Sequence, residues 1–168
     1  IGAIDILVNN AGITKDSALH KMTKENWDKV IDVNLNSVFN LTSGVINGMR
    51  ASGFGRIIHI SSVNGQKGQF GQTNYAASKS ALIGFSKSLA LESAGKGITS
   101  NVIAPGYINT EMVAAIREDI LNKIIETIPT KRLGSSEEIA EMVLYLVSDK
   151  ASYINGATFS VNGGLWMD

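Results

Sequence analysis

The 168-residue sequence has no cysteine, two prolines and two histidines. Without cysteine there is no disulfide framework and no thiolate metal site, a composition that fits a reducing compartment. His20 and His59 are far apart and no ligand cluster surrounds them, which argues against a metal centre. Excess charge of either sign is missing too. Fifteen basic side chains match fifteen acidic ones, leaving no electrostatic footprint for nucleic acid or a membrane surface. No apolar run approaches the length of a bilayer span. Glycine is plentiful, with 17 residues, yet the phosphate-binding pattern G-x-G-x-x-G is absent. Gly53-Phe54-Gly55 and Gly95-Lys96-Gly97 both lack the last glycine, and there is no Walker sequence. The chain opens Ile1-Gly2-Ala3-Ile4-Asp5 without methionine, an abrupt start that suggests a piece of something longer.

What is present reads as a globular α/β domain. Hydrophobic residues make up 44% and charged residues 18%, enough apolar matter for a core. Short apolar runs at Ile4 to Val8, at Gly55 to Ser62 around Ile57, Ile58 and Ile60, at Ile98 to Ala104 and at Ala157 to Val161 read as buried strands. Between them lie helical stretches: Thr23 to Ala51 with Thr23 as cap, Asn74 to Ser93, Thr110 to Ile128, and a helix from Ser135 to Val147 with Glu138 placed for a capping box. Continuous apolar strands alternating with helices predict a parallel sheet with right-handed crossovers and helices on both faces. In such sheets chemistry sits beyond the carboxyl ends of the strands. Here those ends are Asn9-Asn10-Ala11-Gly12, Ser61-Ser62 and Pro105-Gly106.

One stretch at the start of a helix carries chemistry. In Asn74-Tyr75-Ala76-Ala77-Ser78-Lys79 the tyrosine and lysine stand one helical turn apart on one face. A nearby cation favours phenolate and lowers a tyrosine pKa from about 10, toward the range of a general acid near neutral pH. Taken alone, Tyr-x-x-x-Lys also describes a half-buried aromatic beside a solvated charge. Context adds weight. Ser62 ends the preceding strand, where its hydroxyl can donate to a carbonyl oxygen that Tyr75 protonates. Asn34 interrupts an apolar helix face between Val33 and Leu35. It either bonds its own backbone or holds a water that links to Lys79.

Together these residues resemble the short-chain dehydrogenase/reductase family over the whole chain. The likeness rests on Asn9-Asn10-Ala11-Gly12 after a strand, Asn34, Ser62, Tyr75 with Lys79, and Pro105-Gly106 with Thr110. It implies a Rossmann-like doubly wound parallel sheet of which residues 1–168 are the C-terminal portion, strands four to seven. The first half, with its glycine-rich turn and cofactor phosphate site, is then absent, and the first strand here becomes an exposed apolar edge. The resemblance makes Tyr75 the acid/base, Ser62 the group that polarises and positions the substrate oxygen, and Lys79 both a modulator of Tyr75 and a ligand of the nicotinamide ribose. Asn34 supports a proton relay. Asn10, Ala11, Gly12, Pro105, Gly106, Ile108 and Thr110, with Tyr75 and Lys79, would contact the cofactor.

Within the family, Asn10 to Asp16, Ser62 to Tyr75, Pro105 to Ile108 and Asn162 to Met167 are most similar to reductases of 3-oxoacyl thioesters. That implies NADPH as cofactor and acetoacetyl-CoA as substrate, with 3-oxoacyl-carrier-protein thioesters as the runner-up. Gln69, Phe70, Gln72 and Tyr107 would line the acyl pocket beside Ser62 and Tyr75, with Asp16, Lys21 and Arg117 at its mouth, the cations suited to coenzyme A phosphates. The family implies a cytoplasmic homo-oligomer, commonly a tetramer, built on two long helices. A reading of another class is a non-catalytic assembly module that pairs through Trp27 to Met49 and Ala76 to Leu91.

Overall fold

The computed structural model describes residues 4–114 and 116–167. Four strands, β1 (Ile6–Asn9), β2 (Gly55–Ile60), β3 (Ile98–Pro105) and β4 (Thr158–Val161), pair in that order and all in parallel. Ile57 sits opposite Leu7 and Ser100, and His59 opposite Asn9 and Val102, which fixes what each face carries. One face packs Leu7, Ile57 and Ile98 against Val45, Ile46, Met49, Phe85 and Leu89. These come from two helices, α2 (Ser37–Ser52), which continues a first helix α1 (Lys24–Ile31), and α4 (Thr73–Ser93). The other face packs Ile58, Ile103 and Phe159 against Ile139, Met142, Val143 and Leu146 of α7 (Ser136–Val147). Covered faces with parallel strands make this an α/β Rossmann-like sheet. Along β1, Ile6 is 46% and Val8 39% exposed, as an apolar edge should be.

Two expectations about helices change in detail. The stretch from Thr23 to Ala51 is one continuous rod, capped by Thr23, whose hydroxyl accepts from the Asn26 N–H at 3.2 Å. Between α1 and α2, however, Asp32–Asn36 forms a π-helical turn centred on Asn34. Such turns insert one residue into the helical ladder and concentrate at functional sites. The stretch Thr110 to Ile128 is not one helix. It divides into α5 (Glu111–Ala114) and α6 (Glu118–Thr127). Arg117 between them is extended, with ψ of 135°, and caps a new start whose first turn carries Glu118 and Asp119. Acidic residues suit a helix N-terminus better than a helix interior. A short helix that the apolar periodicity does not reveal, α3 (Val63–Lys67), follows β2 at once. Ser135 and Glu138 form the reciprocal capping box at α7. Among the described residues no helix is long and apolar enough to cross a membrane.

Candidate active site

The site forms where β2 ends. Ser61 and Ser62 leave the strand with alternating directions. The Ser61 hydroxyl turns under α4 and donates to the Lys79 carbonyl at 2.8 Å. Ser62 caps α3, accepting from the Asn64 N–H at 3.1 Å, and hydrogen-bonds the Tyr75 phenol. Since the Ser62 oxygen already accepts from a backbone N–H, its hydrogen is available to another acceptor. Helices α3 and α4 pack with almost no clearance. A Cβ added to Gly65 would stand 2.9 Å from the carbonyl carbon of Lys79, and the Ser80 hydroxyl donates to the Gly65 carbonyl. Glycine is what allows this approach.

Lys79 is 3% exposed and donates to the Ile60 carbonyl at 2.7 Å. Burial lowers its pKa to about 8. Its Nζ lies 5.8 Å from the centre of the Tyr75 ring. The sequence leads one to expect a Tyr75 pKa lowered by that ammonium. In the structure Tyr75 is instead held above its ordinary value. Burial of the phenol is the largest cause; the Ser62 hydrogen bond opposes it, and the Asp16 carboxylate adds to it. Desolvation outweighs the pull of the Ser62 hydrogen bond because phenolate, unlike phenol, is a charge with little water to receive it.

Asn34 is fully buried and does not bond its own backbone. Its Oδ1 accepts from the Ile13 N–H at 2.8 Å, and its Nδ2 donates to the Ile13 carbonyl at 3.0 Å and to Ser78 Oγ at 3.1 Å. Ser78 Oγ in turn donates to the Tyr75 carbonyl at 2.7 Å. Asn34 therefore clamps the segment after β1 to the first turns of α4. The clamp works because the π turn sets this residue into the gap between two helices and a loop.

Two recesses share these side chains. The first, about 270 Å³, is lined by Asp16, Ser62, Gln72, Tyr75, Tyr107 and Ile108, with Thr110 and Val113 at one side. The second is an open cleft of about 600 Å³ along Asn10, Ala11, Gly12, Pro105, Gly106 and Thr110, floored by Ser62, Tyr75 and Lys79. A Cβ at Gly12 would lie 3.1 Å from Lys79 Nζ, so the missing side chain keeps the cleft open above the ammonium. A cradle of backbone, a buried ammonium and a phenol fits the ribose and nicotinamide end of a dinucleotide. Ile108, read from sequence as a cofactor contact, lines the smaller cavity rather than the cleft.

The other substrate residues separate into groups. Asp16, Gln72 and Tyr107 meet in the cavity. Gln69 and Phe70 line a neighbouring shallow recess with Ala18, Leu19 and His20, and Phe70 is exposed. Lys21 is exposed beside that recess, at the end of the turn Leu19–Lys21. Arg117 is engaged by Asp119, donating from Nη2 to Oδ2 at 2.9 Å. Sequence reasoning missed Asn64. It donates to Gln72 Oε1 at 3.0 Å, and Gln72 donates to Asp16 Oδ2 at 2.9 Å, so one chain runs from the cap of α3 to the cavity rim. Only the position of Asn64, two residues past a strand-end serine, hints at this. Thr14 and Ile116, also on the cavity wall, carry no signal in the sequence.

Comparison with known proteins agrees with this geometry. A family model described as Enoyl-(Acyl carrier protein) reductase matches residues 1–166. A protein of Cupriavidus necator named acetoacetyl-CoA reductase is 58% identical over 167 residues, which cover 99% of this chain and 68% of the relative. One of Shinella zoogloeoides with the same name is 58% identical over 98% of the chain and 68% of its own length. The 3-oxoacyl-[acyl-carrier-protein] reductase of Salmonella typhimurium is 52% identical, again over 99% of the chain and 68% of the relative. Strand-end serine, tyrosine and lysine thus converge beside an open cleft in a chain matched almost end to end, and the chain belongs to the short-chain dehydrogenase/reductase family of nicotinamide-dependent oxidoreductases.

Proposed function

We propose that the protein reduces the ketone of a 3-oxoacyl thioester with NADPH, acetoacetyl-CoA being converted to the (R)-3-hydroxybutyryl thioester. The observation that carries this reading is the meeting of Ser62, Tyr75 and Lys79 at the boundary between cavity and cleft. The relatives named acetoacetyl-CoA reductase supply the substrate class. Reduced nicotinamide, when bound in the cleft, supplies the hydride. The chain's own residues do the rest. Ser62 turns its one hydroxyl hydrogen from the phenol to the ketone oxygen and orients it. Tyr75 transfers its phenolic proton to that oxygen as charge develops there, and its raised pKa keeps it protonated for this purpose. Lys79, bonded once to Ile60, has two N–H bonds left for the ribose hydroxyls, and its charge stabilises the phenolate left behind. Asn34 holds the Ile13 segment and supports proton return from solvent.

In this reading Asn10, Ala11, Gly12, Pro105, Gly106 and Thr110 hold the cofactor and Asp16, Gln72 and Tyr107 the acyl chain. Lys21, Gln69, Phe70 and Arg117 form the outer rim toward coenzyme A. Residues 1–168 act as the catalytic portion of a Rossmann domain in a cytoplasmic homotetramer. Apolar Phe39 and Leu41 of α2 and Leu91 of α4 stand exposed and suit a second copy of the chain. The carrier-protein thioester is the second substrate reading, favoured by the Salmonella typhimurium relative. Tyr75→Phe should abolish reduction in the intact protein while leaving the thermal midpoint near that of the parent. A variant that reduces acetoacetyl-CoA at the parental rate overturns the assignment, and parallel assays with the two thioesters decide the carrier.

A further inference from the structure

Behind the active site, in the layer between the sheet and its α2/α4 face, five polar side chains are joined in a line. Asn9 Nδ2 lies 3.4 Å from Thr42 Oγ1, to which it donates, and 3.1 Å from His59 Nδ1. His59 Nε2 lies 3.2 Å from Ser100 Oγ, and Ser100 Oγ lies 2.8 Å from Ser86 Oγ. His59, Ser86 and Ser100 are fully buried, and Asn9 and Thr42 nearly so. The line crosses α2, β1, β2, β3 and α4 in turn. Two of its members, on either side of His59, border the site. Asn9 is the last residue of β1, directly before the Asn10–Gly12 turn that borders the cofactor cleft. Ser86 lies on α4, the helix of Tyr75 and Lys79.

We propose that His59 is a positioning residue: through Asn9 on one side and Ser100 and Ser86 on the other, it holds the exit of β1 in register with the catalytic helix. The inference rests on the function proposed above for its kinetic arm only. The chemistry of the ring explains why histidine serves here. An amide N–H from Asn9 makes Nδ1 the acceptor, so Nε2 carries the proton and donates to Ser100. One neutral side chain thereby presents an acceptor to one neighbouring strand and a donor to the other, across a distance that an aliphatic residue fills without a bond. The Phe85 ring meets the imidazole edge-on, with ring centres 5.5 Å apart. Asn9 Oδ1 is buried without a partner. The amide is thus oriented wholly by what its Nδ2 reaches, and a strand exit fixed only by packing would not need a buried group left in that state.

Three substitutions in the intact protein separate the two arms. His59→Asn places a polar atom where Nδ1 was, His59→Gln one where Nε2 was, and His59→Leu neither. His59→Leu and His59→Gln should raise the NADPH Kd, read by fluorescence titration, and the NADPH KM about tenfold, the size expected of a lost buried hydrogen bond. The KM for the thioester should stay within twofold, and His59→Asn, which keeps the Asn9 bond but loses the one to Ser100, should lie between the parent and His59→Leu. Hydrogen exchange supplies a readout independent of substrate. Amides of residues 10–13 should exchange faster in His59→Leu and His59→Gln than in His59→Asn, with the β2–β3 ladder unchanged. A merely structural role predicts the opposite: faster exchange across the whole sheet, the three variants ranked by thermal midpoint alone, and NADPH and thioester KM unaffected. That outcome overturns the proposal. Failure of the parent to turn over thioesters overturns the proposed substrate, and the exchange data still decide the role of His59.

Discussion

The contact between Gly65 and Lys79 offers the sharpest test of how the site is assembled. In Gly65→Ala the new Cβ would be placed 2.9 Å from both the carbonyl carbon and the Cβ of Lys79 and 3.0 Å from the Ser80 nitrogen. Carbon–carbon contacts are relaxed at about 3.5–4.0 Å, so α3 and α4 must separate by roughly 0.6–1 Å. Two of the three opposing atoms are backbone, which cannot rotate away. Overpacking of this kind costs about 1–3 kcal/mol. For a chain of this length, at about 2–4 °C per kcal/mol, that corresponds to a thermal midpoint lower by roughly 2–12 °C. The functional effect should be larger. Ser62 caps α3, while Tyr75 and Lys79 ride on α4, so separation of the helices pulls the hydroxyl away from the phenol. A misplacement of about 1 Å at a reacting centre lowers turnover by up to ~100-fold. Thermal denaturation and steady-state reduction of acetoacetyl-CoA measure both effects, with Lys67→Ala, an exposed change on the same short helix, as control. A Gly65→Ala protein with parental midpoint and parental kcat would show that α3 does not set the Ser62–Tyr75 geometry.

Three further outcomes follow from the same structure. Burial holds Lys79 near 8, so its charge is present below that pH and lost above it. The kcat/KM for reduction should therefore fall as pH rises through about 8, and a profile flat to pH 10 contradicts this role for the ammonium. Burial lowers His59 to about 4, against an ordinary value of 6.5. The unfolded chain binds its proton first as pH falls, so the stability held by neutral His59 is complete above pH 6.5 and is lost progressively toward pH 4. The loss is on the order of 3 kcal/mol. Denaturant midpoints between pH 7 and 4.5 should drop less steeply in His59→Leu than in the parent; equal slopes refute the assignment. Removing the α7 cap in Ser135→Ala should lower stability by about 1 kcal/mol in urea unfolding, and no change would mean that the capping box contributes nothing net.

Much of the architecture was legible in the residues because periodicity and capping are local. The runs around Ile57, Ile98 and Thr158 specify strands by their own pattern, and Thr23, Ser135 and Glu138 mark helix starts within three or four positions. Parallel order follows from alternation with helices. Tyr75 and Lys79 could be joined from sequence because a helix fixes the distance between positions one turn apart. Breaks in the helices were less legible. The π turn at Asn34 and the extended Arg117 depend on partners elsewhere, Ile13 and Ser78 in the first case.

By itself, then, the amino-acid order determined the parallel α/β plan, the tyrosine–lysine face and the polar ends of three strands, since each is set by neighbours along the chain. Only tertiary structure decided the rest: that Asn34 grips the Ile13 segment, that Asn64 and Gln72 tie the cap of α3 to Asp16, that His59 joins β1 to β3, and that burial of the phenol raises the Tyr75 pKa. Burial and hydrogen-bond partnership between residues distant in sequence arise from packing the elements together, and no local pattern encodes them.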